Sequence, residues 1–140
     1  MAKRADVIRE ARSWIGTPWR HQGRTKGWSC DCVGVLIGAG VACSLLPPDF
    51  NVTGYSRSPA PAVLISYLEQ YLDRVDKRAM KGGDALLLKP HRLPQHVGIL
   101  TFEHSLIHAI DRQRGVREHR IDDRWDRAIV AVYRFRGLED

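Results

Sequence analysis

Residues 29–38 read Ser29-Cys30-Asp31-Cys32-Val33-Gly34-Val35-Leu36-Ile37-Gly38, a polar turn that opens directly into an apolar run. Asp31 is a favoured N-cap type, since its carboxylate can satisfy a backbone N–H that the first helical turn leaves unpaired. The spacing therefore predicts a helix starting at Cys32, with the thiol in its first turn. The partial positive charge of a helix N-terminus favours thiolate over thiol, which is one physical route to a nucleophilic cysteine. A small apolar residue on a buried helix fits the same pattern, because unpaired cysteines are commonly buried.

Outward from this stretch, the helix continues to about Leu45 and is apolar almost all round, so it is expected to be buried. Gly34, Gly38 and Gly40 lower its intrinsic propensity by up to about 1 kcal/mol each, so packing must hold it, and their small size admits a close neighbour. Pro47 and Pro48 stop it. Upstream, Val7, Ile8, Ala11, Trp14 and Ile15 recur at helical spacing, which predicts an amphipathic helix over residues 5–15. Gly16 and Pro18 end that helix, and residues 17–27 read as a loop carrying Trp19 and His21, with Trp28 just beyond. Core anchoring is the commoner role for such aromatics, and closing over a cleft is the other.

Downstream, residues 49–61 read as a surface loop. A third helix, with Pro61 in its first turn, is predicted to run to about Val75. The period then changes. Strands are expected over 85–88, 96–101, 106–110 and around 116–119, a helical turn over 122–127, and a last strand over 129–135. Helices followed by an antiparallel sheet is an α+β order.

The 140 residues are long enough for one domain with a real core. Three cysteines, two of them at Cys30 and Cys32, make a disulfide framework a poor reading, and Cys30 is expected to be a buried small residue. The first residues lack the apolar stretch of a signal peptide, and no segment approaches the roughly 20 apolar residues of a membrane span. The 22 Lys plus Arg against 16 Asp plus Glu give a net charge of +6, which favours anionic partners. That charge is dispersed and comes with no basic helix or base-stacking motif, so nucleic-acid binding fits poorly.

A thiol nucleophile needs a base within hydrogen-bond reach, and that base works better when a third group orients it. His96 opens one predicted strand and His108 lies within the next, so a short antiparallel connection brings the imidazoles side by side. Each is also readable singly as a surface or satisfied core histidine.

The blocks Trp14-Ile15-Gly16-Thr17-Pro18-Trp19-Arg20-His21-Gln22-Gly23, Asp31-Cys32-Val33-Gly34, Gly83-Asp84, His96-Val97-Gly98-Ile99 and Ile107-His108-Ala109 resemble, in order and spacing, the NlpC-type cell-wall cysteine peptidases. The likeness is greatest to their phage-tail branch, also found in gene transfer agents, and covers roughly residues 5–135. It implies a papain-like α+β fold and cleavage of peptidoglycan stem peptides, typically at a γ-D-glutamyl to diamino acid bond. It puts the nucleophile on Cys32, the general base on His96 and the third polar residue on His108, with no cofactor. Asp31 and Trp19 fall beside the oxyanion and substrate site. Family members usually carry Tyr where this chain has Trp19, which offers an indole N–H but no hydroxyl. The loop from Trp19 to Cys32 is also one residue longer than usual.

The tail branch implies tail-tip or baseplate partners. It also implies synthesis in the bacterial cytoplasm without a signal and delivery to the wall on a virion tail or tail-like particle. A catalytically inactive tail-tip module that holds a glycopeptide with Trp19, Trp28 and Tyr55 is one alternative. An amidase or acyltransferase using the same Cys-His-His set is another. Cys30, Cys32, Cys43, His21, His96, His104 and His108 are all metal-ligand types, but their spacing matches no zinc-site pattern.

Overall fold

The computed structural model describes residues 2–57 and 59–140; Met1, and Ser58 within the 49–61 loop, lie outside the described residues. Helix α1 spans Arg4–Arg12 and α2 spans Cys32–Ala42. Helix α3 spans Pro61–Tyr71, and the short α4 spans Asp123–Ala128. A two-stranded hairpin, β1 (Arg24–Thr25) and β2 (Ser29–Cys30), precedes α2. The main sheet comprises β3 (Leu72–Val75), β4 (Ala85–Leu88), β5 (His96–Leu100), β6 (Ser105–Ala109), β7 (Val116–Arg120) and β8 (Ile129–Phe135). Its order is β3-β8-β4-β5-β6-β7, with every pairing antiparallel. This is the expected α+β architecture.

The first helix ends at Arg12 and not at Ile15, with residues 13–16 forming a turn, and three further boundaries differ from the sequence reading. The third helix ends at Tyr71 and not near Val75, because Leu72–Val75 pairs with Val132–Phe135 as an edge strand. Leu72 and Val75 carry the apolar pattern of either state, so only the partner strand decides between them. The second helix ends at Ala42, before Leu45. Ser44 takes a left-handed φ of 58°, and the N–H groups of Leu45 and Leu46 turn back to the Gly40 carbonyl. Part of the loop over 17–27 closes as the β1–β2 hairpin, with Gly27 at φ 83° in its turn.

The sheet has two apolar faces. Val97, Ile99, Ile107, Ala131 and Phe135 join Val7, Val35 and Ala39 in the larger cluster beneath α1 and α2. Leu86, Leu88, Leu100, Leu106 and Val132 form a smaller cluster on the other face, with Trp125 of α4 against it. The small residues of α2 have the role expected of them: a Cβ on Gly38 would stand 2.3 Å from the Trp14 ring, and one on Gly34 would meet the Gly23 carbonyl oxygen at 2.6 Å. Helix α1 and the hairpin therefore seat directly on the backbone of α2. Away from this contact, the buried Asp84 ties α1 to the sheet, accepting from Arg4 Nη1 and Arg134 Nε at 2.9 Å each.

Candidate active site

Asp31 caps α2 and anchors everything around its N-terminus. Its Oδ1 accepts from the Gly34 N–H at 2.9 Å and from Arg24 Nη1 at 2.9 Å. Its Oδ2 accepts from the Gln22 N–H at 2.8 Å and from the Tyr55 hydroxyl. Arg24 in turn donates to the carbonyls of Gly23 and Val52 at 2.9 Å each, to Asn51 Oδ1 at 2.9 Å and to the Tyr55 oxygen at 2.6 Å. One buried carboxylate and one guanidinium thus join the hairpin, the helix start and the 51–55 loop into a single rigid unit. Four protein donors hold the carboxylate, and Asp31 also lines the cleft that Cys32 and His96 share. Sequence reasoning selected Asp31 but not Arg24, and it noted Tyr55 only as an aromatic; the three meet only once the hairpin and the 51–55 loop have closed on the start of α2.

Cys32 follows as the first residue of α2 and is half-buried. Cys30 is fully buried, and all three cysteines are free thiols. Burial, and after it the Asp31 charge, push the Cys32 thiol up to about 12, while backbone hydrogen bonds from Val97 and Val33 act in the opposite direction. The helix end alone predicts a thiolate, but desolvation outweighs it here. The Val97 contact sets the sulfur against the start of β5, next to His96.

His96 Nε2 lies 2.6 Å from His108 Nδ1. The register that pairs Ile99 with Ile107 runs the two strands antiparallel, and alternation puts both rings on the same sheet face. Gly98 makes the approach possible: a Cβ there would lie 3.1 Å from His108 Cβ and 2.5 Å from Leu106 Cδ1. Burial pulls His96 down to about 4 against the opposing Asp31 charge. Burial followed by its histidine neighbours pulls the fully buried His108 down to about 2. At neutral pH the site therefore holds a thiol and neutral imidazoles. A thiol in this state can serve as a nucleophile only by giving up its proton in the same step.

Cys32 and His96 line one cleft of about 300 Å³, with Trp19, Arg57, His91 and Arg112 among its other walls. Trp19 is half-buried and carries the Arg112 guanidinium 5.5 Å above its ring. Trp28 is neither a core anchor nor a cleft wall, being 80% exposed in the hairpin turn. Among the described residues, no group of three or more His, Cys, Asp and Glu side chains is arranged to hold a metal ion.

No protein-family model matches the sequence, and no curated protein is similar to it. Solved structures do match. The NlpC/p60 domain of peptidoglycan hydrolase SagA superposes with a TM-score of 0.66 at 21% identity, over 94% of this chain and 98% of that one. An NlpC/p60 family protein from Bacillus cereus gives 0.69 at 17% identity, over 94% of this chain and 40% of its own. The peptidoglycan hydrolase RipB from Mycobacterium tuberculosis gives 0.65 at 19% identity, over 94% and 64%. The chain therefore has the papain-like α+β fold of NlpC/p60 domains, and it spans less than two thirds of the last two proteins.

Proposed function

We propose that this protein is a cysteine peptidase that hydrolyses peptidoglycan stem peptides. The observation that carries the reading is the 2.6 Å His96–His108 contact in the cleft that Cys32 also lines. It is supported by the fold's likeness to domains of peptidoglycan hydrolases and by the sequence blocks that resemble NlpC-type peptidases.

Cys32 Sγ attacks the scissile carbonyl carbon while His96 Nδ1 takes the thiol proton, and a thioester forms as His96 passes that proton to the leaving amine. Water then attacks the thioester and His96 takes its proton. The S–C bond breaks, releasing the carboxylate product, and the proton returns to sulfur. His108 holds the His96 ring, and the Cys32 backbone N–H at the start of α2 donates to the oxyanion. Trp19 forms the wall beside it, and Asp31 acts as a positioning residue through the helix cap. Cleavage at the γ-D-glutamyl to diamino acid bond, and delivery to the wall on a phage-like tail with tail-tip partners, rest on the sequence resemblance.

Mass spectrometry of purified peptidoglycan digested by wild type, by Cys32→Ala and by wild type in chelator tests this reading. Stem peptides cut only when Cys32 is present, with no chelator effect, are the expected result, and the fragment masses identify the bond. If wild type and Cys32→Ala both bind the wall and release nothing, a wall-binding module replaces the enzyme.

A further inference from the structure

We propose that His119 is a positioning residue that sets the tautomer of His96 through His108, an inference that rests on the reading of His96 as the general base. Three histidines from three adjacent strands form an unbroken line. His96 Nε2 meets His108 Nδ1 at 2.6 Å, His108 Nε2 meets His119 Nε2 at 2.8 Å, and His119 Nδ1 meets the Arg120 carbonyl oxygen at 2.9 Å. The register that sets His108 opposite Arg117 leaves His119 two residues along on the same face, a diagonal neighbour. Trp125 closes over both rings, its centroid 5.2 Å from that of His108 and 4.9 Å from that of His119.

The last contact decides the others. A carbonyl oxygen only accepts, so a neutral His119 carries its proton on Nδ1 and presents a lone pair at Nε2. His108 Nε2 must then donate, which leaves His108 Nδ1 as an acceptor. His96 Nε2 must donate to it, and the lone pair of His96 falls on Nδ1, the nitrogen that has to take the thiol proton. Burial keeps His96 and His108 neutral, so each of these two rings carries a single proton to place. The Arg120 carbonyl thus orients the base from three rings away, and removing His119 leaves His108 free to present either tautomer.

Long-range ¹H–¹⁵N correlation spectra of the imidazole-labelled protein at neutral pH read the tautomers directly, with or without activity. In wild type the proton is expected on Nε2 of His96 and His108 and on Nδ1 of His119. In His119→Leu, His96 and His108 are expected to shift toward a tautomer mixture, and kcat on a stem-peptide substrate to fall about tenfold with KM changed less than about twofold. His119→Gln, whose amide oxygen can accept from His108 Nε2, is expected to restore the wild-type signals and most of kcat. A wild-type His119 protonated on Nε2 overturns the proposal, as does a His119→Leu protein with unchanged tautomers or unchanged kcat. A wild type that cuts no stem peptide defeats the peptidase reading instead, while the spectra still decide the relay.

Discussion

The two walls of the cleft are held by opposite kinds of chemistry. On the α2 side, Asp31 and Arg24 are charged and linked many times over: the carboxylate accepts from Gln22, Arg24, Gly34 and Tyr55. On the sheet side, His96, His108 and His119 are linked in series, each ring joined to the next by one nitrogen pair. A redundant network loses rigidity gradually when one contact goes, so it suits a part that must hold a helix end and its thiol in place. A serial chain has no spare contact, but it has direction, because each donor fixes the role of the next ring. Position comes from the ionic wall and proton polarity from the imidazole one.

Cutting the ionic wall at its centre gives the largest effect. Asp31→Ala removes the cap of α2 and leaves the part-buried Arg24 without its carboxylate, so unfolding free energy should drop by about 3 kcal/mol, measured by urea denaturation. Asp31→Asn, which keeps a capping oxygen, should lose clearly less. Equal losses for the two variants would show that the cap contributes nothing.

Acid should separate the walls next. His108 binds its proton only near pH 2 when folded but near 6.5 when unfolded. Between those values the unfolded chain holds more protons, so stability rises with pH and falls on acidification. At pH 5 the His108 contribution is a loss of about 2 kcal/mol relative to neutral pH. His96, lowered to about 4, adds in the same direction between 6.5 and 4. Denaturation curves for wild type and His108→Asn between pH 7 and pH 5 should differ in slope accordingly. Parallel curves would place the acid sensitivity elsewhere.

Redundancy predicts the smallest effect. Tyr55→Phe removes one of the donors to Asp31 and leaves the rest, so it should cost about 1 kcal/mol by the same denaturation measurement. A loss as large as that of Asp31→Ala would mean that the tyrosine, and not the carboxylate, is the hub.

Local chemistry carried much of this architecture. The cap at Asp31, the apolar run of α2, the burial of Cys30, and the strands expected over 85–88, 96–101, 106–110, 116–119 and 129–135 follow from residue type and period, and the structure places each strand within a residue of those bounds. His96 and His108 were placed on adjacent strands for the same reason. Leu72–Val75 escaped because four residues continuing a helical pattern look the same until a partner strand binds them. Core anchor and cleft cover are both open to Trp28 in the sequence, because composition says nothing about which way a hairpin tip points, and the structure leaves it exposed.

The chain's own pattern settles which segments are helix or strand and which residues have the chemistry to react, since both depend on neighbours within a few positions. Long-range closure settles the rest. The charge state of Cys32 follows from how deeply α2 sits against β5, which reverses the expectation from its helix end alone. Arg24 and Tyr55 meet at Asp31, and His119 meets His108, only when the hairpin, the 51–55 loop and three strands close together. Burial, register and the direction of a hydrogen-bond chain are properties of the assembled sheet and helices, and no local stretch encodes them.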